Sequence, residues 1–187
     1  AEGTTAEEIV NHESDANLAR ILQEYGEERR ARSIARKIAY VRKKEAIRSS
    51  RQLARIVIEA LPAKARYGRK IHPATRVFMA LRIAVNRELE RLREFLADAA
   101  DYLNPGGRLC VLSFHSLEDR IVKQRFVALA RGCTCPPVFP HCVCGNKPVA
   151  RIVTRKVVRP RQAEVDANPM ARSTRLRVLE KLTPESA

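Results

Sequence analysis

The stretch that decides the fold is Asn104-Pro105-Gly106-Gly107-Arg108-Leu109-Cys110-Val111-Leu112-Ser113-Phe114-His115-Ser116-Leu117-Glu118-Asp119-Arg120. Its first four residues are turn formers, and residues 108–114 are an apolar run of strand length. Ser116 is placed to cap a following helix, with Asp119 in the first turn and Ile121, Val122, Phe126 and Leu129 on the inner side. Helix, tight turn, buried strand and capped helix in that order are the grammar of a doubly wound α/β sheet. In such a sheet the loop at the carboxyl end of a strand faces the ligand.

Upstream, Pro73 stands at a first-turn position, and Phe78, Leu81, Val85, Leu89, Leu92 and Leu96 repeat at helical spacing towards Tyr102. One long helix is expected there. Downstream, residues 151–158 and 174–182 alternate basic and apolar side chains and read as strands. Three strands are fewer than an open sheet normally holds, so the α/β part reads as incomplete.

Residues 1–71 read as helices. Asp15 is placed to cap a segment over 18–24, which Gly26 would end in a left-handed conformation. Ala31, Ile34, Ala35, Ile38 and Val41 mark the inner face of a helix over 27–44. Ser49 or Ser50 caps a third helix carrying Leu53, Ile56, Val57 and Ala60, and Pro62 stops it. A basic loop around Gly68 spans 63–71.

The chain has 187 residues, enough for a real core, and its 45% hydrophobic content excludes a disordered protein. No apolar run approaches the roughly 18 residues of a membrane span, and no signal-peptide core opens the chain, so a cytoplasmic location is expected. None of the seven glycines builds a G-x-G-x-x-G or G-x-x-x-x-G-K loop, so the chain carries no recognisable nucleotide cradle.

The formal charge is +15, which limits partners to nucleic acid, an anionic surface or an acidic protein. A basic protein from a hot or arginine-rich source is the bland alternative. The charge is concentrated: residues 28–70 hold fifteen Arg or Lys against three Glu, and residues 147–177 hold nine against two acids. Two such runs suit a long polyanion better than a small acidic substrate.

Three constellations could carry chemistry. Ser113, His115 and Ser116 sit at a strand end and helix start, where His115 could exchange a proton or donate to a ligand. Equally, His115 could only order the loop while Ser116 and Asp119 cap the helix. No G-x-S-x-G elbow surrounds either serine, which argues against a serine nucleophile. His72 and Arg76 open a helix whose N-terminus would attract phosphate, against the plainer reading of a capped end with a surface arginine. Asn86, on the same helix, is either a solvated amide or a ligand contact.

Four of the five cysteines form Cys133-Thr134-Cys135 and Cys142-Val143-Cys144. Two C-x-C pairs six residues apart can gather four thiolates for a structural zinc, with His141 as a substitute ligand. A reduced, proline-stiffened loop and a disulfide pair are the competing readings. Cys110 is expected to be a separate, buried strand cysteine.

The order of motifs resembles one family, the RsmH (MraW) 16S rRNA cytosine-N4 methyltransferases. The resemblance rests on residues 25–29 (YGEER), 72–78 (HPATRVF), 80–86 (ALRIAVN), 105–109 (PGGRL), 113–123 (SFHSLEDRIVK), Asn168-Pro169 and 172–177 (RSTRLR). It covers nearly the whole chain, roughly residues 5–182, and the Cys-rich loop is similar to that of many bacterial members. The resemblance implies a class I methyltransferase with S-adenosylmethionine as donor and 16S rRNA, or the small ribosomal subunit, as substrate. It implies an incomplete Rossmann-like sheet over 72–187 and an inserted, mostly helical, RNA-binding domain over 1–71.

On this resemblance, Ser113, His115 and Ser116 are candidates for the catalytic pocket. His72, Arg76, Asn86, Arg120, Lys123, Arg36, Lys37 and Arg172 are candidates for holding RNA. The family's donor-binding loop and first strands lie N-terminal to anything present, so no donor-binding residue is expected here and the chain reads as a part that is inactive alone. Met79 stands where the family usually has Gln. A stand-alone, non-catalytic rRNA-binding module with a zinc-stabilised loop is the rival reading. A helical DNA binder is weaker, because no helix pair shows a recognition helix with polar base readers.

Overall fold

The computed structural model describes residues 4–63, 71–133, 135–136 and 139–183. Two compact units divide at Glu88 and Leu89. Most of the basic loop expected over 63–71 lies outside the described residues.

The first unit is helical: α1 (Ala6–His12), α2 (Asp15–Glu24), α3 (Ala31–Arg42), α4 (Ser50–Ala60) and α5 (Thr75–Asn86). Helix α1, which apolar spacing does not announce, has a full capping box in which Thr5 accepts from the Glu8 N–H and Glu8 accepts from the Thr5 N–H. Ser14, not Asp15, caps α2 by accepting from the Asn17 N–H, and Ser49 caps α4 by accepting from the Gln52 N–H. The expected inner face of α3 is correct, with Ala31, Ile34, Ala35 and Ile38 buried. These side chains join Leu18, Leu22, Val57, Leu61, Val77 and Leu81 in one core.

Gly26 has a different purpose from the one expected. The left-handed residue is Glu27 (φ 46°), whereas a Cβ on Gly26 would lie 2.7 Å from the carbonyl oxygens of Arg76 and Leu22. The glycine is a point of close approach between α2 and α5. Because α5 packs on α2 and α1, the compact unit extends past the expected boundary after Ile71 to Glu88.

The single long helix over 73–102 is in fact two. Helix α5 ends at Arg87, which is left-handed (φ 52°) and closes onto the Ala84 and Ile83 carbonyls; α6 then runs from Glu88 to Asp98. The apolar stripe crosses this break without a change of period, so periodicity alone could not show it. Pro73 lies in the turn before α5, which Ala74 opens without a side-chain cap.

The second unit holds most of α6, then β1 (Arg108–Ser113), α7 (Ser116–Ala130), β2 (Ala150–Ile152), α8 (Gln162–Ala167), a 3₁₀ turn (Pro169–Ser173) and β3 (Arg175–Lys181). The turn before β1 is as read. Gly106 takes φ +78°, the Gly107 N–H donates to the Asn104 carbonyl at 2.8 Å, and a Cβ on Gly107 would strike that same oxygen. The three strands form one sheet in the order β1-β3-β2.

Both pairings are antiparallel, with Cys110 opposite Val178 and Ile152 opposite Leu179. β1 and β2 therefore run in the same direction, joined through α7 with β3 reversed between them; no two strands pair directly in parallel among the described residues, and what stands is a mixed α/β unit. The strand expected over 151–158 shrinks to Ala150–Ile152 plus one bridge between Val158 and Leu176. Helix α7 packs on all three strands, and Leu117, Ile121, Val122 and Phe126 of the helix are buried, as are Leu179 of β3 and Ala150 of β2. Contrary to expectation Cys110 is exposed, because Cys110, Leu112 and Phe114 alternate onto the face of β1 that lies open to solvent. Glu180 on β3 ties the sheet laterally, accepting from Arg108 of β1 and Arg151 of β2 at 2.8 and 2.7 Å. No helix is long and apolar enough to cross a membrane among the described residues.

Candidate functional site

In the first unit the basic residues flank an open polar cleft of about 630 Å³ lined by Gln23, Glu28, Arg29, Arg30, Arg32 and Arg36. Arg36 is exposed, with its Nε 3.4 Å from the Arg32 carbonyl. Lys37 is drawn aside to Glu59 at 3.0 Å. Glu28 is buried, takes the Arg30 N–H on Oε1 at 3.0 Å and leaves Oε2 without a partner. Spacing gave no hint of that buried carboxylate, although its place in an arginine-rich turn is the kind of signal that marks an exception.

Arg76 donates to the Glu27 carbonyl at 3.0 Å, so it braces the turn that Gly26 makes tight. His72 is exposed and its Nδ1 accepts from the Ala74 N–H at 3.2 Å, which orders the chain entering α5. Asn86 is exposed and donates to Glu88 at 3.1 Å, beside the two-pronged Arg82–Glu88 pair. A second cavity, apolar and about 420 Å³, lies between α1, α4 and α5, lined by Val10, Leu53, Phe78, Leu81 and Val85 with Arg82 and Asn86 at the end of α5. The spacing of that stripe is that of core; part of it instead walls a cavity. Met79 is half-buried on the same helix.

In the second unit Ser113 closes β1, His115 caps α7 and Ser116 is the first residue of α7. The helix cap is His115, not Ser116: its Nδ1 accepts from the Glu118 N–H at 3.4 Å, and Glu118 takes the Phe114 and His115 N–H groups at 2.8 and 3.2 Å. The imidazole Nε2 lies 3.3 Å from Glu118 Oε1. Burial works against the charge on Glu118, yet the His115 side chain and those backbone donors together hold its carboxyl below the usual value of 4.5. Ser113 is buried at the end of β1, opposite Arg175.

Asp119 was expected only as a helix-start acid. It is the focus of an ion-pair cluster, taking Arg177 two-pronged at 2.7 and 3.2 Å and Arg175 at 3.6 Å. Arg120, Lys123 and Arg172 are exposed.

The four loop cysteines do converge: the Sγ atoms of Cys133, Cys135, Cys142 and Cys144 all lie within 4.8 Å of one another. The Cys135 N–H lowers the Cys133 thiol, but the thiols of Cys142, Cys135 and Cys144 outweigh it and push Cys133 up to about 12. His141 is exposed and outside this group.

Residues 1–182 match the sequence profile described as the MraW methylase family. The chain is 56% identical over 178 residues to a protein of Desulfosudis oleivorans named ribosomal RNA small subunit methyltransferase H, covering 95% of this chain and 57% of that one. It is 51% identical over 185 residues to the protein of the same name from Solidesulfovibrio magneticus, covering 99% and 57%. Against that of Brevibacillus brevis it is 48% identical over 178 residues, covering 95% and 56%. The chain thus spans a little over half the length of these relatives. With the profile matched over residues 1–182, across both units, the chain belongs to the MraW methylase family.

Proposed function

We propose that the chain is the RNA-engaging portion of a small-subunit rRNA methyltransferase, and that the whole enzyme methylates the exocyclic N4 of a cytidine in the decoding region of 16S rRNA. The observation that carries this reading is the family match over residues 1–182, which contains the HPATR and SFHSLEDR stretches whose side chains line up at helix starts. In this reading residues 1–71 are the inserted helical domain that grips RNA, and 72–187 are the C-terminal part of a Rossmann-like methyltransferase sheet. The enzyme acts in the cytoplasm.

S-adenosylmethionine would supply an electrophilic methyl group. We assign no residue of this chain to it, because the strand-to-helix turn at 113–116 carries no glycine cradle and the Phe114 and His115 amides are taken by Glu118. The chain's own residues act on the acceptor. A cytosine N4 lone pair is delocalised into the ring, so the amine must be held and aligned, and the base must first leave its stack. Ser113, His115 and Ser116 form the floor that holds it. His115, oriented by Glu118, shapes that floor: its Nδ1 already accepts from the Glu118 N–H and the neutral ring then carries its hydrogen on Nε2, so the proton that the amine loses during or after transfer passes to solvent. Arg36, Lys37, His72, Arg76, Asn86, Arg120, Lys123 and Arg172 hold the RNA, chiefly through phosphates. Zinc in the cysteine loop is a structural cofactor outside the reaction.

A non-catalytic rRNA-binding module is the second reading, favoured by the engagement of His115 in a helix cap. The two are separated by His115→Ala in the protein at the length of its relatives, assayed with small subunits that lack the modification. The methyltransferase reading expects the transfer rate to fall by about 100-fold with RNA affinity retained. Unchanged transfer removes His115 from the pocket, and the absence of any transfer by the unsubstituted protein leaves the binding module.

A further inference from the structure

We infer that Cys133, Cys135, Cys142 and Cys144 close around one tetrahedral Zn²⁺ and that this ion, in place of a hydrophobic core, holds the connection between α7 and β2 in its fold. The inference deepens the zinc reading and owes nothing to methyl transfer.

A Zn–S bond of about 2.3 Å in a regular tetrahedron sets the sulfurs about 3.8 Å apart. The Cys142–Cys144 and Cys133–Cys144 Sγ separations are 3.5 and 3.7 Å, and no pair in the group exceeds 4.8 Å. These are the edges of a tetrahedron rather than disulfide bonds, which need about 2.0 Å, and none of the four cysteines is in a disulfide. A single ion fits this spacing, whereas a polynuclear iron–sulfur cluster spreads its cysteines wider.

Backbone amides point at the sulfurs as outer-shell donors do. The Cys135 N–H meets Cys133 Sγ at 3.4 Å and the Val143 N–H meets Cys135 Sγ at 3.3 Å. Each C-x-C arm therefore presents two sulfurs, and the donor from Val143 ties the second arm to the first.

The connection then shows why an ion is needed. Among its described residues from 131 to 149 none is buried, and Phe139 and Val143 stand exposed. Its ends are fixed: the Val149 N–H donates to the Leu129 carbonyl at 2.9 Å, and a Cβ on Gly132 would lie 3.3 Å from Pro148. Among the described residues between those ends no buried apolar side chain offsets the entropy lost in ordering the loop, which is the situation in which small units use a metal staple. Four protein ligands leave no open position, so the ion is structural and does not activate water.

The test measures metal in the protein purified under reducing conditions, then follows amide exchange across residues 132–147 before and after chelation. One zinc per chain is expected, absent from the Cys142→Ser/Cys144→Ser variant and retained by Cys110→Ser. Cobalt substitution should give the visible bands of a tetrahedral tetrathiolate. Chelation should speed exchange in 132–147 by roughly tenfold or more while β1 and β3 keep their protection. A chain that stays free of zinc after reconstitution, that holds iron instead, or that keeps zinc in the double variant overturns the site. Zinc bound at one equivalent with exchange unchanged on its removal overturns the scaffolding role alone.

Discussion

Asp119 shows how one side chain can be read correctly in place and wrongly in purpose. Its position in the first turn of α7 is that of a helix-start acid, and spacing cannot reveal that two arginines of β3, 56 and 58 residues away, converge on it. Asp119→Asn should destabilise the second unit by about 2 kcal/mol, read by urea denaturation, because a partly buried Arg177 loses its two-pronged acceptor. Glu118 gives a pH signature. Its carboxyl titrates lower in the fold than in the open chain, so its contribution is present above the usual carboxyl range and is lost as pH falls through the folded value. Glu118→Gln should therefore cost stability at pH 7, and the difference from the parent should shrink as pH falls below about 4.5. A gap that stays constant across this range would mean the carboxylate charge has no part in it. Gly26 was legible as a special position, but only the fold shows that it serves a close approach and that Glu27 carries the positive φ.

At the scale of elements, turns and helix starts were legible to within a residue or two, but the capping side chain was not: Ser14 and His115 cap where Asp15 and Ser116 were expected, and Ser49 alone caps as read. The Pro-Gly-Gly turn and the strand after it needed no tertiary information, and the Thr5-x-x-Glu8 box is itself a start signal for α1. What periodicity could not show was the break in the helix over 73–102, since Leu89 and Leu96 continue the spacing of Phe78, Leu81 and Val85 on the far side of a left-handed residue. Arg87→Gly should relieve that conformation and raise thermal stability by about 0.5–1 kcal/mol. Were Arg87→Gly destabilising, the break would not be where the strain lies. Thr5→Ala should cost about 1 kcal/mol by removing half of the capping box on α1. Strand direction was also beyond the sequence: the helix-strand-helix order suggested a parallel sheet, while the pairing of β1 and β2 with β3 joins segments some 25 to 75 residues apart.

For the whole molecule, the +15 charge has a place to act, because the cleft at Arg29, Arg30, Arg32 and Arg36 concentrates guanidinium groups on the helical unit. Arg32→Ala/Arg36→Ala should weaken binding to a decoding-region RNA and lower the slope of affinity against salt by about one for each phosphate no longer neutralised. An unchanged slope would place the RNA elsewhere. The family was legible from motif order, whereas the actual bonds of its residues were not: Arg76, His72 and His115 each carry a local structural bond that a motif cannot display. The central claim is that this family member serves N4-methylation of small-subunit rRNA. Its most direct test is nucleoside mass spectrometry of 16S rRNA after unmodified small subunits are incubated with S-adenosylmethionine and the protein at the length of its relatives. The account predicts a new methyl on N4 of one cytidine in the decoding region. A methyl on another atom or another nucleotide, or none while RNA binding persists, would contradict it.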